Sequence, residues 1–199
     1  MKLNLLNMLL KSALLILFIS SVNAEEPRFF TPEAPSVAAQ SYILMDFNSG
    51  SILASNNEDE RRSPASLTKL MTSYVIFKKL KEEFITLDEE VKISEKAWRT
   101  GGSKSFIEVG KMISLEDLLK GMIIQSGNDA SVALAEHVAG SEGTFVLFMN
   151  DYAQQIGMKN SNFENASGLP HENQYTSAKD MALLSSAMIR EFPDYYKWY

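Results

Sequence analysis

The chain has 199 residues, of which 45% are hydrophobic and 22% are charged, a composition typical of a globular domain and not of a disordered chain. Its net charge of −6 and the lack of any stretch rich in lysine or arginine argue against nucleic acid as a partner, because phosphate binding needs a basic surface. It contains no cysteine, so core packing and not disulfide bonds must supply its stability.

The N-terminal residues 1–24 have the pattern of an export signal. Lys2 and Lys11 lie on either side of its polar start, an apolar run covers residues 12–19, and Val22-Asn23-Ala24 fits cleavage after a small residue. The apolar run is shorter than the roughly 20 residues that span a bilayer, which favours a cleaved signal over a retained anchor. The sequence therefore predicts a protein exported to the periplasm.

A proline-rich leader is predicted over residues 25–38, and a single domain over residues 39–199. The domain opens with two short β patterns, at residues 41–47 and 51–55. Asn48-Ser49-Gly50 between them supplies a turn, which predicts a β-hairpin. A two-stranded hairpin is marginal by itself and leaves both edges unpaired, so further strands are expected to complete the sheet.

Ser66 and Lys69 begin the next predicted element, a helix whose apolar residues recur from Leu67 to Val75. Pro64 ends the extended segment before it, so Ser66 falls at the helix N-terminus. Residues three apart share one helix face, which brings the Lys69 amine over the Ser66 hydroxyl. A lysine whose pKa is lowered, by burial and by the helix N-terminus, can take the hydroxyl proton and make the serine a nucleophile.

The Ser-x-x-Lys spacing is weak when taken alone. In a chain with 23 Ser and 14 Lys residues, about 1.6 matches are expected by chance, and a serine N-cap with a solvated lysine has the same pattern. The motif gains weight only if other residues suited to the same chemistry accompany it.

A polar cluster at residues 125–128 lies between two predicted helices, over residues 115–122 and 128–138, and includes Ser126 and Asn128. A Ser-x-Asn match is also expected about 1.4 times by chance. However, this cluster interrupts an otherwise apolar stretch, and polar groups within a core need partners. The cluster therefore predicts the edge of a buried pocket.

Two more helices are predicted, over residues 143–156 and 177–190. The only histidines are His137 and His171, and no His-Glu-x-x-His spacing occurs, so neither a metal site nor any other cofactor is expected. A Ser-His-Asp triad stays open, but the sequence has no Gly-x-Ser-x-Gly turn to present its serine.

With their flanking residues, the two motifs resemble the first two active-site motifs of serine D-alanyl-D-alanine carboxypeptidases, the low-molecular-mass penicillin-binding proteins of peptidase family S11. The resemblance covers about residues 36–199. The segments that carry it are residues 42–50, 62–72, 125–130, 166–170 and 175–182.

The resemblance implies an α+β protein with the penicillin-recognising fold of β-lactamases and transpeptidases, in which an antiparallel sheet packs against a helical cluster. It implies that Ser66 is the nucleophile that forms an acyl-enzyme and that Lys69 is its general base. Ser126 would relay a proton to the leaving D-alanine, and Asn128 would hydrogen-bond the substrate amide. The implied substrate is a peptidoglycan stem peptide ending in D-Ala-D-Ala, with β-lactams as inhibitors.

The family also has a third motif, Lys-Thr-Gly, which supplies a cation for the substrate carboxylate and a donor for the oxyanion hole. No Lys-Thr-Gly occurs in these 199 residues. We therefore expect only the N-terminal part of the fold, a β-hairpin with a helical cluster, without the later strands. The family's C-terminal β-domain would also be missing, together with the helix that attaches full-length members peripherally to the inner membrane. Losing one oxyanion donor costs about 10² to 10³ in rate, and losing half of the sheet threatens the fold itself, so residues 25–199 alone are expected to be poorly folded and nearly inactive.

Two alternatives stay open. The first is a β-lactamase or a transpeptidase on the same fold. A class A β-lactamase needs a carboxylate that activates the deacylating water, and Glu164, directly before Asn165, does not match the Glu-x-x-Asn spacing. The second is a non-catalytic binding protein that is naturally truncated. A stop codon after codon 199 would favour this second alternative, whereas an open frame encoding Lys-Thr-Gly would favour the carboxypeptidase.

Overall fold

The structure, a computed structural model, describes residues 34–199, of which Ser36–Tyr199 form one unit. The predicted export signal and residues 25–33 of the predicted leader lie outside the described residues. The last residues of the leader, 34–38, have no regular secondary structure.

The predicted β-hairpin is formed by strand β1, Tyr42–Met45, and strand β2, Ile52–Asn56, which pair antiparallel. Its turn is held by the Asp46 carboxylate, which accepts hydrogen bonds from the backbone N–H and the hydroxyl of Ser49, each at 2.7 Å. Gly50 completes the turn with a φ of 71°, a value that glycine adopts without strain.

Seven α-helices lie within residues 34–199, and the first is entered through one turn of 3₁₀ helix, Ala65–Leu67. Their bounds are α1 Thr68–Lys81, α2 Glu95–Arg99, α3 Leu115–Gln125, α4 Asn128–Ala139, α5 Glu142–Ile156, α6 Ala178–Glu191 and α7 Pro193–Tyr196. Five of them, α1 and α3 to α6, correspond to the helices predicted from the apolar periodicity. The short helices α2 and α7 were not predicted.

Serine side chains fix the starts of four helices. Ser94, Ser114, Ser141 and Ser177 each accept a hydrogen bond from the backbone N–H three residues later, at the N-termini of α2, α3, α5 and α6. Such N-caps satisfy one of the amides that a helix leaves unpaired, and each contributes about 1 kcal/mol.

A second two-stranded sheet was not predicted. Strand β3, Glu90–Lys92, pairs antiparallel with strand β4, Met112–Ser114. Each strand has only three residues, too few for a clear alternation of apolar and polar side chains. About twenty residues separate the two strands, so no short turn sequence between them indicates a hairpin.

Helix α4 lies at the centre of the helical cluster and contacts α1, α2, α3, α5 and β3. Its residues from Asn128 to Ala135 are all buried, because neighbours cover it on every side. Small side chains at Ala130, Ala133 and Ala135 let those neighbours approach closely. Helix α6 packs against β1 and so joins the hairpin to the helices.

The last described residues pack back onto α1. The Tyr195 ring stacks on Phe77 with 4.6 Å between ring centroids, and the Trp198 ring contacts Phe77 edge-on. The Tyr199 hydroxyl donates a 2.7 Å hydrogen bond to the Ser73 hydroxyl. No helix within residues 34–199 is long and apolar enough to cross a membrane.

Candidate active site

Ser66 lies in the 3₁₀ turn that leads into α1 and is exposed to solvent. The residue before it, Ala65, has a φ of 44°, a left-handed conformation that costs a non-glycine residue about 1 kcal/mol or more. Gly168, with a φ of 88°, packs so closely on Ala65 that a Cβ atom on it would collide with the Ala65 carbonyl oxygen. The turn carrying Ser66 is therefore held from outside by a segment about a hundred residues later in the chain.

Lys69 follows in the first turn of α1, and only 5% of its surface is exposed. Its amine nitrogen lies 3.4 Å from the Ser66 Oγ, as the Ser-x-x-Lys spacing predicted. The amine also donates hydrogen bonds to the Asn128 Oδ1 at 2.7 Å and to the Ser167 carbonyl at 2.6 Å. Three different segments of the chain thus meet at one nitrogen atom.

The surroundings of this amine suit a base better than a fixed cation. Burial lowers the pKa of Lys69 from 10.5 to about 8. The three atoms that contact its nitrogen are neutral oxygens, and none is a carboxylate that would stabilise the ammonium form. A neutral amine has two N–H bonds and one lone pair. With the N–H bonds directed to Asn128 and Ser167, the lone pair faces the Ser66 hydroxyl.

Asn128, the first residue of α4, is buried and connects Lys69 to the loop at residues 100–103. Its Nδ2 donates to the Gly101 carbonyl at 2.8 Å, and its backbone N–H donates to the Ser103 carbonyl at 2.8 Å. Gly102 packs so tightly that a side chain there would press on the Asn128 amide. Besides the substrate contact predicted for it, Asn128 thus orients the lysine.

Ser126 ends α3 in a left-handed conformation, with a φ of 55° and a ψ of 35°. This conformation turns the chain sharply from α3 into α4, so Ser126 lies two residues before Asn128 at the edge of the same cluster. Within residues 34–199 its hydroxyl makes no hydrogen bond, either to the Lys69 amine or to another group. The structure therefore brings together Ser66, Lys69 and Asn128, and it leaves the Ser126 side chain beside them without a bonded partner there.

Asp129, which the sequence analysis did not single out, fixes the loop in front of the site. Its buried carboxylate accepts from the backbone N–H of Ser105 at 2.8 Å, of Ala130 at 2.9 Å and of Ile107 at 3.4 Å. Between these points Phe106 adopts a φ of 58° and stays 83% exposed. Asp129 thus ties residues 105–107 to the N-terminus of α4, next to Asn128.

The segment that carries Ser167 is anchored to the helices on both sides. The Ala166 carbonyl accepts a 2.7 Å hydrogen bond from the Thr72 hydroxyl of α1. The Ala166 N–H donates to the Glu142 carboxylate at 3.1 Å, and this carboxylate also forms an ion pair with Lys96 at 2.7 Å. These contacts hold the Ser167 carbonyl in position to accept the hydrogen bond from Lys69.

The Glu164 carboxylate bonds partners other than the lysine. It accepts from the Asn162 Nδ2 at 2.8 Å and lies 3.9 Å from the His171 ring. It contacts neither Ser66 nor Lys69 within the described chain, so it does not supply the carboxylate that a class A β-lactamase needs. The part of the chain from residue 34 onward also holds no cluster of three or more histidine or acidic residues that could bind a metal.

A groove of about 550 Å³ runs beside this cluster, between α3 and residues 105–113. Exposed side chains of Phe106, Met112 and Ile124 line it. Ser66 and Lys69 are not part of its wall. The groove is therefore separate from the surface where Ser66 is exposed.

The side chains of Ser66, Lys69 and Asn128, which the structure brings together, could be picked out from sequence motifs, whereas the backbone groups around them could not. The carbonyls of Ser167 and Gly101 were not anticipated, because every residue has a carbonyl and its position depends on tertiary structure. Asp129 could have been found, since a carboxylate in the first turn of a buried helix needs donors nearby.

Comparison with known proteins identifies a family that this chain matches. The model of the family described as D-alanyl-D-alanine carboxypeptidase, peptidase S11, matches residues 28–199. The D-alanyl-D-alanine carboxypeptidase DacA of Haemophilus influenzae is 47% identical over 192 residues, which cover 94% of this chain and 48% of that protein. DacC of Escherichia coli is 47% identical over 191 residues, which cover 93% and 47% of the two chains.

Solved structures show the same similarity. The D-alanyl-D-alanine carboxypeptidase DacD from Francisella tularensis superposes with a TM-score of 0.84 at 43% identity, over 88% of this chain and 43% of that one. Penicillin binding protein 5 from Haemophilus influenzae gives a TM-score of 0.83 at 48% identity, over 85% and 50%. The prediction of a penicillin-recognising α+β fold is thereby confirmed. The chain spans about half the length of the curated relatives it matches.

Proposed function

The chain belongs to the D-alanyl-D-alanine carboxypeptidase family, peptidase S11, and we propose that the protein removes the terminal D-alanine from peptidoglycan stem peptides ending in D-Ala-D-Ala. One observation carries the proposal: the buried Lys69 amine, with a pKa of about 8, lies 3.4 Å from the Ser66 hydroxyl. Two neutral acceptors direct its N–H bonds away from Ser66. A serine paired with such an amine is suited to acyl transfer without histidine or metal.

In the proposed reaction, the Ser66 Oγ attacks the carbonyl carbon of the penultimate D-alanine while its proton passes to the Lys69 nitrogen. The C–N bond to the terminal D-alanine then breaks, and Ser126 relays the proton held by Lys69 to the departing amine. A water molecule attacks the resulting ester, and the C–O bond to Ser66 breaks as a proton from that water passes to the Ser66 oxygen. Asn128 hydrogen-bonds the substrate amide and keeps Lys69 in orientation throughout.

By the same chemistry, β-lactams would inhibit the protein, because their strained amide would acylate Ser66. We further propose that the protein is exported to the periplasm, where its substrate lies, and that residues 1–24 are its signal. Peripheral attachment to the inner membrane remains a prediction from the family resemblance.

The test uses protein produced from its own gene and measures D-alanine release from a D-Ala-D-Ala peptide alongside labelling by a fluorescent penicillin. We expect both activities in the wild type and neither in Ser66→Ala. Ser63→Ala, which changes an exposed serine three residues away, serves as the matched control and should keep both.

Labelling that persists in Ser66→Ala would contradict the assignment of the nucleophile. Rapid β-lactam hydrolysis without D-alanine release would favour the β-lactamase alternative, and absence of both reactions in the wild type would favour the non-catalytic one.

A further inference from the structure

The peptide group between Ser167 and Gly168 is bonded at both of its ends. Its carbonyl oxygen accepts from the Lys69 amine at 2.6 Å. Its N–H, which belongs to Gly168, donates to the Asn165 Oδ1 at 2.7 Å. A trans peptide group is a rigid plane whose C=O and N–H point in opposite directions, so a group that holds one end also sets the direction of the other.

The Asn165 side chain is the main group that holds this plane from the side opposite Lys69. Its Oδ1 also accepts from the Ser167 backbone N–H and hydroxyl, both at 3.3 Å, and its Nδ2 donates to the Leu169 carbonyl at 2.9 Å. One side-chain amide thus bonds the chain before and after the Ser167 carbonyl. A loop bonded on both sides cannot rotate that carbonyl without breaking these contacts.

The backbone around Asn165 is itself held by hydrogen bonds, so the position of its side chain is fixed. Its N–H and that of Glu164 donate to the Gln174 Oε1, at 3.3 Å and 3.1 Å. The next residue, Ala166, is fully buried and bonded to Thr72. The side chain of Asn165 is therefore placed to orient a peptide plane, in addition to closing the loop.

From these contacts we propose that Asn165 is a positioning residue for the acyl-transfer reaction: by fixing the Ser167–Gly168 peptide plane it presents the Ser167 carbonyl to Lys69, which keeps the amine lone pair on Ser66. The inference rests on the proposed function for its catalytic consequence. The geometric part, that Asn165 controls the environment of the Lys69 amine, can be measured without any substrate.

The test compares wild type, Asn165→Ala and Asn165→Asp, each produced from the protein's own gene. The aspartate keeps oxygen acceptors for the Gly168 N–H, whereas alanine removes them. Asn162→Ala is the matched control, because Asn162 bonds the Asn173 carbonyl and the Glu164 carboxylate in the same segment without contacting the Ser167–Gly168 peptide. Thermal unfolding checks that each variant folds.

The first readout is acylation by a penicillin, with initial binding and the acylation rate constant measured separately from pH 6 to 10. We expect Asn165→Ala to lower the acylation rate constant at least tenfold and to change initial binding less than about twofold. Asn165→Asp should stay within about threefold of wild type at high pH, and Asn162→Ala within about twofold.

The second readout is the titration of the Lys69 amine, followed by NMR of labelled lysine and assigned by the signal that Lys69→Met lacks. In Asn165→Ala, water should reach the loosened site and raise the lysine pKa toward its ordinary value of 10.5. Because no substrate is involved, this readout decides the positioning role even if the wild type proves unreactive, which would refute only the proposed function.

Three results would overturn the inference. One is an Asn165→Ala protein with the wild-type rate and lysine titration. Another is an equal loss of rate in Asn162→Ala, which would indicate general loosening of the loop. The third is a loss of tenfold or more in the acylation rate constant of Asn165→Asp at high pH, which alone decides the matter if the alanine variant does not fold.

Discussion

At the scale of single residues, Lys69 differs from Lys79 in the acceptors around its amine. Its amine meets two neutral acceptors and one hydroxyl, and burial lowers its pKa. Lys79, by contrast, pairs with Glu82, and the pKa of that amine is raised. The difference in partners, and not the residue type, makes one lysine suited to be a base.

The first prediction concerns the pH dependence of acylation. The reactive form is the neutral amine, and the pKa of Lys69 is lowered to about 8, so acylation by a penicillin should rise with pH through about 8 and then level off. Two pH units below that midpoint, the rate should be about one hundredth of the plateau, because about one molecule in a hundred has lost the lysine proton. Stopped-flow measurement of acylation from pH 6 to 10 checks this.

Lys69→Arg is the control for this profile. Arginine keeps its charge throughout the range, so acylation should be lost at every pH. A wild-type rate that does not change between pH 6 and 9 would contradict the role of Lys69 as base.

The second prediction concerns Gly168. Replacement by alanine adds a Cβ atom that collides with the Ala65 carbonyl and forces a left-handed φ on a non-glycine residue. We expect Gly168→Ala to lower the free energy of unfolding by about 3 kcal/mol and to slow acylation as the Ser66 turn shifts. Urea denaturation and penicillin labelling measure the two effects.

Gly157→Ala separates the cost of the left-handed φ from the cost of the steric collision. Gly157 has a φ of 91°, and nothing lies within 4 Å of the position its Cβ would take. This control should lose only about 1 kcal/mol, through the backbone strain, with unchanged labelling. Equal losses in the two variants would show that the contact with Ala65 adds no cost.

At the scale of elements, the turn between α3 and α4 and the loop at residues 105–107 form one assembly held by Asp129. Its two carboxylate oxygens accept hydrogen bonds from different backbone N–H groups. Oδ1 accepts from those of Ser105 and Ala130, and Oδ2 accepts from that of Ile107. The loop in front of the site therefore depends on one buried side chain, and a local change there has a predictable local effect.

The third prediction is that Asp129→Asn releases the end of this loop near Ile107. The amide keeps one acceptor oxygen, but its NH₂ group faces the Ile107 N–H, so two donors meet. We expect a loss of about 2 kcal/mol in the free energy of unfolding and faster hydrogen exchange at the Ile107 amide. The exposed Asp117, in the first turn of α3, offers the control Asp117→Asn, which should cost no more than about 0.5 kcal/mol. Unchanged exchange at Ile107 would contradict the prediction.

The elements differ in how far the sequence predicts them. Helices α1 and α3 to α6 have ten or more residues, enough turns for their apolar periodicity to stand out, and serine caps mark the starts of three of them, α3, α5 and α6. Strands β3 and β4 have three residues each, and their pairing depends on residues far apart in sequence. The site divides in the same way: Ser66, Lys69 and Asn128 follow from local motifs, whereas the Ser167 carbonyl reaches Lys69 only through long-range packing.

At the scale of the whole molecule, the site is assembled around a helix that has no exposed side. Helix α4 is covered by four helices and a strand, and its first residue, Asn128, meets Lys69. Lys69 and Asn128 therefore belong to the buried part of the molecule, whereas Ser66 lies beside them at the surface.

The fourth prediction concerns export. If residues 1–24 are a signal, the mature protein should begin at Glu25, and mass spectrometry of the periplasmic fraction should find that N-terminus. Ala24→Trp replaces the small residue at the cleavage position and should leave the uncleaved precursor, with a mass that still includes residues 1–24. A periplasmic protein that retains Met1 would contradict the prediction.

Contacts over long sequence separations at Lys69 have a consequence for how the protein can be monitored. The Lys69–Ser167 and Thr72–Ala166 hydrogen bonds join residues 98 and 94 positions apart. In an unfolded chain these partners are dispersed and Lys69 is an ordinary, protonated lysine at neutral pH. Covalent labelling of Ser66 by a fluorescent penicillin would therefore occur only in native molecules. The intensity of a single fluorescent band could then report the folding yield in a cell extract without purification.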